Sequence, residues 1–376
     1  MITHADLIIV GAGLAGSAAA WAAAARGLDV VVLEAFGPGH GRGSSHGSAR
    51  IFRRAYPDPF YARLTGAAGD LWRQLEDQAG ETLLVMTGGL DFGADRNPRR
   101  LHEVLADCGV PAELLAPGAA AERWPYFDFA GAGEVMYHAD AGVLDPDRAM
   151  AAMLRLAAGN GADVRFGTPV TRLEAGPSGD GAVAHTDSGS FTAPVIAVAA
   201  GAWTAPLLEG VTALPELTVT QQQVFHYAPL TVADQPWPVF IYKDGTERCY
   251  GMAGGRDGEV PGAIKIGEHA GFRVTTADDR DFVIDPGARA RVTAFAASRV
   301  PGLNSAVVSE ASCLYTLTAT EDFVLDRNGP FVVASPCSGH GAKFAPLLGE
   351  IIADLAAGKP PPDPRFTLSA HGVTRG

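Results

Sequence analysis

The chain has 376 residues, 47% of them hydrophobic, with 46 glycines; this length exceeds one ordinary core and points to two domains or a large composite. Its formal net charge of −13 argues against nucleic acid or an anionic membrane surface as a partner. The four cysteines, Cys108, Cys249, Cys313 and Cys337, lie far apart with no C-x-x-C pair. No disulfide framework is expected, and a reducing cytoplasm is the plainest setting. The ten histidines show no ligand spacing, so no metal is expected.

The opening apolar stretch starts on Asp6, lacks a basic leader and is broken by glycines, which reads as structure and not as a signal peptide. No other run approaches the ~20 residues that span a bilayer. Residues 6–10 are predicted as a buried parallel strand. Gly11, Gly13 and Gly16 follow in G-x-G-x-x-G spacing, and Leu14 and Ala15 lead into an alanine-rich helix over 17–26, stopped by Gly27. A second buried strand over 28–33 ends on Glu34. The glycines serve a tight turn, close approach to a pyrophosphate, and helix–strand packing. The helix N-terminus offers free N–H groups to phosphates, and Glu34 can accept hydrogen bonds from an adenosine ribose. This unit reads as a dinucleotide site and does not separate FAD from NAD.

Residues 37–48 are too glycine-rich for regular structure. They run into Arg50, Arg53 and Arg54, whose spacing would share one side of a helical turn; on spacing alone this is a solvated basic face. A helix is predicted over 64–80, a strand pair over 82–92, and an amphipathic helix over 97–108. Asp145-Pro146 is an N-cap with proline at the first helical position, starting a helix to about Ala158. Strands follow at 164–166, 170–173 and 194–199, the last running into a small-residue end, Ala200-Gly201-Ala202-Trp203. From 217 to about 308 short alternating strands suit an antiparallel sheet. A strand at 331–336, a turn at 337–342 and a helix over 343–357 return to α/β character. The expected architecture is mixed α/β (α+β overall), a Rossmann-type domain with an inserted antiparallel-sheet domain.

In these residues the chain resembles the monomeric sarcosine oxidase and N-methyltryptophan oxidase family, flavoproteins with the D-amino acid oxidase-type fold. The similarity covers nearly the whole chain. The segment with Ser44, Ser45, His46, Arg50 and Arg53 resembles the family's loop over the flavin, and Ala200, Gly201 and Trp203 its second FAD-contacting strand end, with Val170 as a further contact. The stretch from Lys265 to His269 resembles the strand carrying an oxygen-activating lysine and an active-site histidine. Cys313 and Tyr315 lie in a segment similar to the flavin attachment strand, and Gly339, His340, Gly341 and Lys343 in the family's Ser-Gly-His-Gly-x-Lys-Phe turn.

The resemblance implies FAD held covalently through Cys313, which by itself reads as a small buried apolar residue. It implies that Lys265, otherwise a strand-edge lysine, activates oxygen, and that His46 and Arg50 lie against the flavin. Arg53 and Lys343 would bind a substrate carboxylate, as suits a forked guanidinium and a point charge, with Tyr250, His269 and Tyr315 around the substrate. Ala342, Ser45 and Met252 depart from the family's usual residues near the pocket, which implies a larger amine than sarcosine. The expected function is an FAD-dependent oxidase of an N-methyl or cyclic amino acid, giving an imine and hydrogen peroxide from O2. The alternatives are a dehydrogenase with another electron acceptor, or a non-catalytic FAD-binding redox sensor. The resemblance favours a monomer. The expected FAD-binding domain comprises residues 1–80, 141–212 and 310–376, and the substrate domain 81–140 and 213–309.

Overall fold

The structure is a computed structural model that describes residues 2–374 except 177–180, 232, 234, 259 and 270–272. One layer is a six-stranded sheet in the order Asp163–Arg165, Val30–Leu33, Leu7–Val10, Val195–Val198, Phe331–Ser335, Val324–Asn328. The strands from Asp163–Arg165 to Phe331–Ser335 run parallel, and the last pairs antiparallel. Leu7–Val10, Val30–Leu33 and Val195–Val198 are buried at every position, as expected of strands covered on both faces.

The alanine-rich helix spans Leu14–Ala25, starting three residues earlier than its composition indicates. It is buried nearly all round, which a helix apolar on every side requires. Small side chains let it press against the helices Pro146–Gly159 and Ala345–Ala356; a Cβ on Gly349 would stand 2.3 Å from the Ala18 carbonyl oxygen. Asp145 caps Pro146–Gly159 by accepting from the Arg148 N–H, as its Asp-Pro start foretells.

A nine-stranded sheet, mostly antiparallel, forms the other large layer. Two of its strands are long: Thr218–Pro229 and Leu303–Leu317 pair antiparallel along almost their whole length. The antiparallel sheet expected over 217–308 is present, with the shorter strands Val239–Asp244, Glu247–Ala253 and Ile264–Glu268, but the helix Pro286–Arg299 was not foreseen. The boundary expected between residues 309 and 310 falls inside the strand Leu303–Leu317.

Other expectations are also corrected. Leu84–Met86 and Gly89–Phe92 are both strands, but they do not pair with each other. The first joins Ala141–Leu144 in a three-stranded sheet, and the second lies between Val135–His138 and Val239–Asp244. The helix predicted over 64–80 begins at Pro59, where Asp58 accepts from the Phe60 N–H. The helix predicted from residue 343 begins at Ala345, after a 3-10 turn over Gly341–Phe344. Arg50–Arg53 is a strand and no helical turn. Phe52 enters the core, a burial worth ~2–3 kcal/mol. It sets the alternation that leaves Ile51 and Arg53 on the opposite face.

Candidate active site and cofactor cleft

One cavity of about 1660 Å³ runs from the first glycine turn to the large sheet. At its inner end Gly11 adopts φ +98°, and a Cβ there would stand 2.6 Å from the Ala199 carbonyl oxygen. Gly16 packs beneath the turn without lining the cavity; its Cβ would meet the Gly11 carbonyl oxygen at 1.9 Å. Gly13 stands at the N-terminus of Leu14–Ala25, whose first turn carries no acidic residue, so the positive end of the helix dipole is free for an anion. Ser45 Oγ accepts from the Leu14 N–H at 3.1 Å, joining the following loop to this turn.

Glu34 is 6% exposed, and its carboxylate accepts from the Ala12 N–H at 2.7 Å and the Phe36 N–H at 2.9 Å. Burial alone would raise its pKa, but the hydrogen bonds from His40, Ala12 and Phe36 outweigh it and hold the carboxyl below its usual value. The carboxylate therefore braces the glycine turn as well as facing the cavity. Val170, Ala200, Gly201 and Trp203 line the cavity beside this turn, and the Trp203 indole N–H donates to Asp278 at 2.8 Å.

Across the middle of the cavity lie Ser44, His46, Arg50, Lys265 and Cys313. The Arg50 guanidinium donates to the carbonyls of Ala49 at 2.8 Å, His46 at 2.7 Å and Ser44 at 3.1 Å, which holds the glycine-rich loop in shape. His46 is kept neutral near pH 7: burial, then Arg50, Arg280 and Lys265, push its pKa down to about 4. Its Nε2 is buried without a hydrogen-bond partner among the described residues, and such an orphaned group calls for a ligand. Lys265 is 4% exposed, with its Nζ 2.9 Å from Asp257 Oδ2 and 3.4 Å from the Ala49 carbonyl. Burial and Arg50 lower the lysine's pKa, while Asp257 works to raise it. Asp257 also accepts from the Ser48 N–H at 2.5 Å and the Ser48 hydroxyl at 2.6 Å. The Cys313 thiol is free, and burial raises its pKa against the lowering by Arg50, Lys265 and Arg280.

At the end nearest the large sheet the Arg53 guanidinium stands 4.2 Å over the Tyr56 ring and donates to the Ala55 carbonyl. Lys343 is 5% exposed; its Nζ donates to the His340 carbonyl at 2.6 Å and lies 5.7 Å from the same ring. Burial, and then Arg53, hold the ammonium well below the ordinary lysine range. Neither cation has a carboxylate partner among the described residues. His340 bridges the Tyr56 hydroxyl and the Glu321 carbonyl at 3.0 Å each, and burial pushes its pKa down to about 3. Tyr250 and Tyr315 hydroxyls are 3.5 Å apart. Gly339 must lack a side chain because a Cβ would stand 2.8 Å from the Tyr315 ring, and Gly341 because its Cβ would meet the Pro336 carbonyl oxygen at 1.8 Å. His269 lies 3.6 Å from Glu321.

Every candidate catalytic or cofactor-binding residue named from the sequence except Gly16 thus borders one space. The strand geometry sends the three arginines apart: Arg50 turns back on its loop, Arg53 meets Tyr56, and Arg54 leaves for Asp140 at 3.5 Å. Sequence reasoning missed Asp257, Tyr56, Arg96 and Arg280. Arg280 donates to the carbonyls of Gly41 and Arg42 and to Ser312, beside Cys313. The Arg280 contacts join residues 32 to 239 positions apart, and no local spacing announces them.

The glycine turn, the uncapped helix end and the orphaned His46 suit a long anionic dinucleotide carrying a polar ring system. A family model described as FAD dependent oxidoreductase, DAO, matches residues 6–355. The chain belongs to this family. As a flavin-dependent oxidoreductase it is similar to a monomeric sarcosine oxidase of Streptomyces avermitilis, 32% identical over 93% of each chain. It is also similar to an N-methyl-L-tryptophan oxidase of Yersinia pestis, 30% identical over 98% of this chain and 99% of the other. Among solved structures, NikD, described as an unusual amino acid oxidase essential for nikkomycin biosynthesis, superposes with a TM-score of 0.83, 27% identity and 94% coverage of both chains. No helix among the described residues of this flavoprotein is long and apolar enough to cross a membrane.

Proposed function

We propose that the protein oxidises the C–N bond of a secondary amino acid, N-methylated or cyclic, and passes the electrons to O2. The observation that carries this reading is the pair Arg53 and Lys343, two cations beside one aromatic ring without a counter-anion among the described residues. A buried cation without a partner is costly, and a substrate carboxylate supplies the missing charge. The names of the relatives, sarcosine oxidase and N-methyl-L-tryptophan oxidase, agree with an N-methyl amino acid.

The bound flavin supplies the acceptor for a hydride equivalent from the carbon beside nitrogen. Glycine turn, helix end and Glu34 hold the dinucleotide, and the Cys313 thiol is the candidate for a thioether to the flavin. Arg53 and Lys343 orient the carboxylate, while Tyr250, Tyr315 and the Tyr56 ring exclude water around the amine. The substrate leaves as an imine after losing two electrons and two protons, and water hydrolyses it to a carbonyl compound and an amine. O2 takes up the two electrons and two protons as hydrogen peroxide. The Lys265 ammonium, held by Asp257, stabilises the negative charge that develops on oxygen.

The test is anaerobic addition of N-methyl and cyclic amino acids, beside their decarboxylated amines, to the yellow holoenzyme. The amino acids should bleach the flavin and the plain amines should not, and air should restore the colour with stoichiometric peroxide. Bleaching by the amines alone would overturn the carboxylate clamp. Bleaching without peroxide in air would make the protein a dehydrogenase.

A further inference from the structure

Beyond the carboxylate clamp the cavity wall carries a basic strip that the proposed reaction leaves unused. The strands Val239–Asp244 and Glu247–Ala253 form a hairpin in which Lys243 stands opposite Arg248 and Ile241 opposite Tyr250. Strand alternation puts these four side chains on one face, and all four line the cavity. Tyr242 and Cys249, between them, enter the aromatic core instead. Lys243 and Arg248 therefore continue the wall that bears Tyr250, one step of ~6.6 Å along the strands.

Like charges directly opposite destabilise an antiparallel pair. Lys243 is only partly exposed, and burial, then Arg96, Arg53 and Arg248, lower its pKa. The strand Glu247–Ala253 contacts the strand Arg50–Arg53, and Lys243, Arg248, Arg53 and Lys343 all line the one cavity. Arg96 is already neutralised by Asp91 at 2.5 Å. Glu321 offsets part of the field on Lys243, but its carboxylate is directed to His269 at 3.6 Å. Among the described residues neither the Lys243 nor the Arg248 side chain has a hydrogen bond or ion-pair partner. In a chain of net charge −13, two such cations standing side by side on one cavity wall are conspicuous.

We propose that Lys243 and Arg248 form a second anion subsite, so that the substrate is a secondary amino acid bearing another carboxylate on its side chain, of the N-methylglutamate or N-methylaspartate class. Its α-carboxylate lies with Arg53 and Lys343, its amine near Tyr250 and Tyr315, and its distal carboxylate between Lys243 and Arg248. The inference rests on the amino-acid reading of the clamp and makes Lys243 and Arg248 specificity-determining residues for it.

The experiment measures anaerobic flavin reduction of the holoenzyme by N-methylglutamate and by N-methylglutamine, its neutral isostere. It compares wild type, Lys243→Met and Arg248→Met by the ratio of second-order rate constants. Wild type should prefer the diacid by roughly tenfold or more, the scale of one charge-assisted contact. Each variant should bring that ratio down by roughly tenfold. Because Arg248 is exposed, its variant keeps the test open if Lys243→Met does not fold. If N-methylglutamine reduces the wild-type flavin as fast as N-methylglutamate, or the preference survives in both variants, the subsite is wrong while the amino-acid reading stands. If no secondary amino acid bleaches the flavin, that reading falls and the subsite with it.

Discussion

Replacing Lys343 by methionine should separate ligand binding from stability. The ammonium is 5% exposed, donates to one carbonyl at 2.6 Å, and has Arg53 as the charge acting on it. Methionine keeps most of the length and removes the charge. The lost hydrogen bond costs ~1 kcal/mol, whereas an uncompensated buried ion costs several. The ligand-free variant should therefore unfold at the wild-type temperature or above it. Carboxylate binding should suffer instead, by ~2–5 kcal/mol, which is ~30-fold to several thousandfold in Kd.

The same residue imposes a pH dependence whose sign is determined. Its folded pKa lies well below the ordinary lysine value, so between the two values the unfolded chain binds more protons. Stability should then rise with pH across that window. Carboxylate affinity should fall as pH rises through the depressed pKa, because the ammonium that attracts the anion is lost. Both slopes should vanish in Lys343→Met. The assay is titration with an alkylthioacetate, followed by flavin absorbance, alongside thermal unfolding from neutral to alkaline pH. A variant that unfolds early yet binds the carboxylate as tightly as wild type would refute the argument.

Three further outcomes are expected. Wild-type flavin should remain with the polypeptide after acid precipitation and pass to the supernatant in Cys313→Ala; release from wild type would rule out the thioether. Lys265→Met should slow reoxidation by oxygen ~10²–10³-fold and change anaerobic reduction far less, and equal damage to both half-reactions would assign the lysine to structure or substrate binding. Asp257→Asn should destabilise the fold at neutral pH by ~1–2 kcal/mol. Burial would raise this carboxyl, but Lys265 and the Ser48 hydrogen bonds prevail and lower its pKa from 3.8 to about 2. That stabilisation is present above pH 3.8 and is lost as pH falls through about 2, so the variant's acid-unfolding curve should be flatter there.

The glycine turn was legible because its constraints are local. Gly11 needs φ +98° and Gly16 must nearly touch the Gly11 carbonyl, so the required residues sit at fixed spacing between a strand and a helix. The cap at Asp145 was legible for the same reason. The arginine cluster was misread because three residues of like charge carry no period of their own. Phe52 and the pairing of Arg50–Arg53 with Ala141–Leu144 decide the conformation, and that partner lies far along the chain.

By itself the sequence determined the dinucleotide unit, the mixed α/β order of elements and the family, since each depends on short-range pattern or on residue types in succession. Only the tertiary structure decided which charges meet. The approach of Lys343 to the Tyr56 ring beside Arg53 joins distant segments, while Lys265 with Asp257 and Lys243 beside Arg248 are near in sequence and meet through local chain path and strand register. Coulomb energy depends on distance and local dielectric, and neither is written in spacing along a chain.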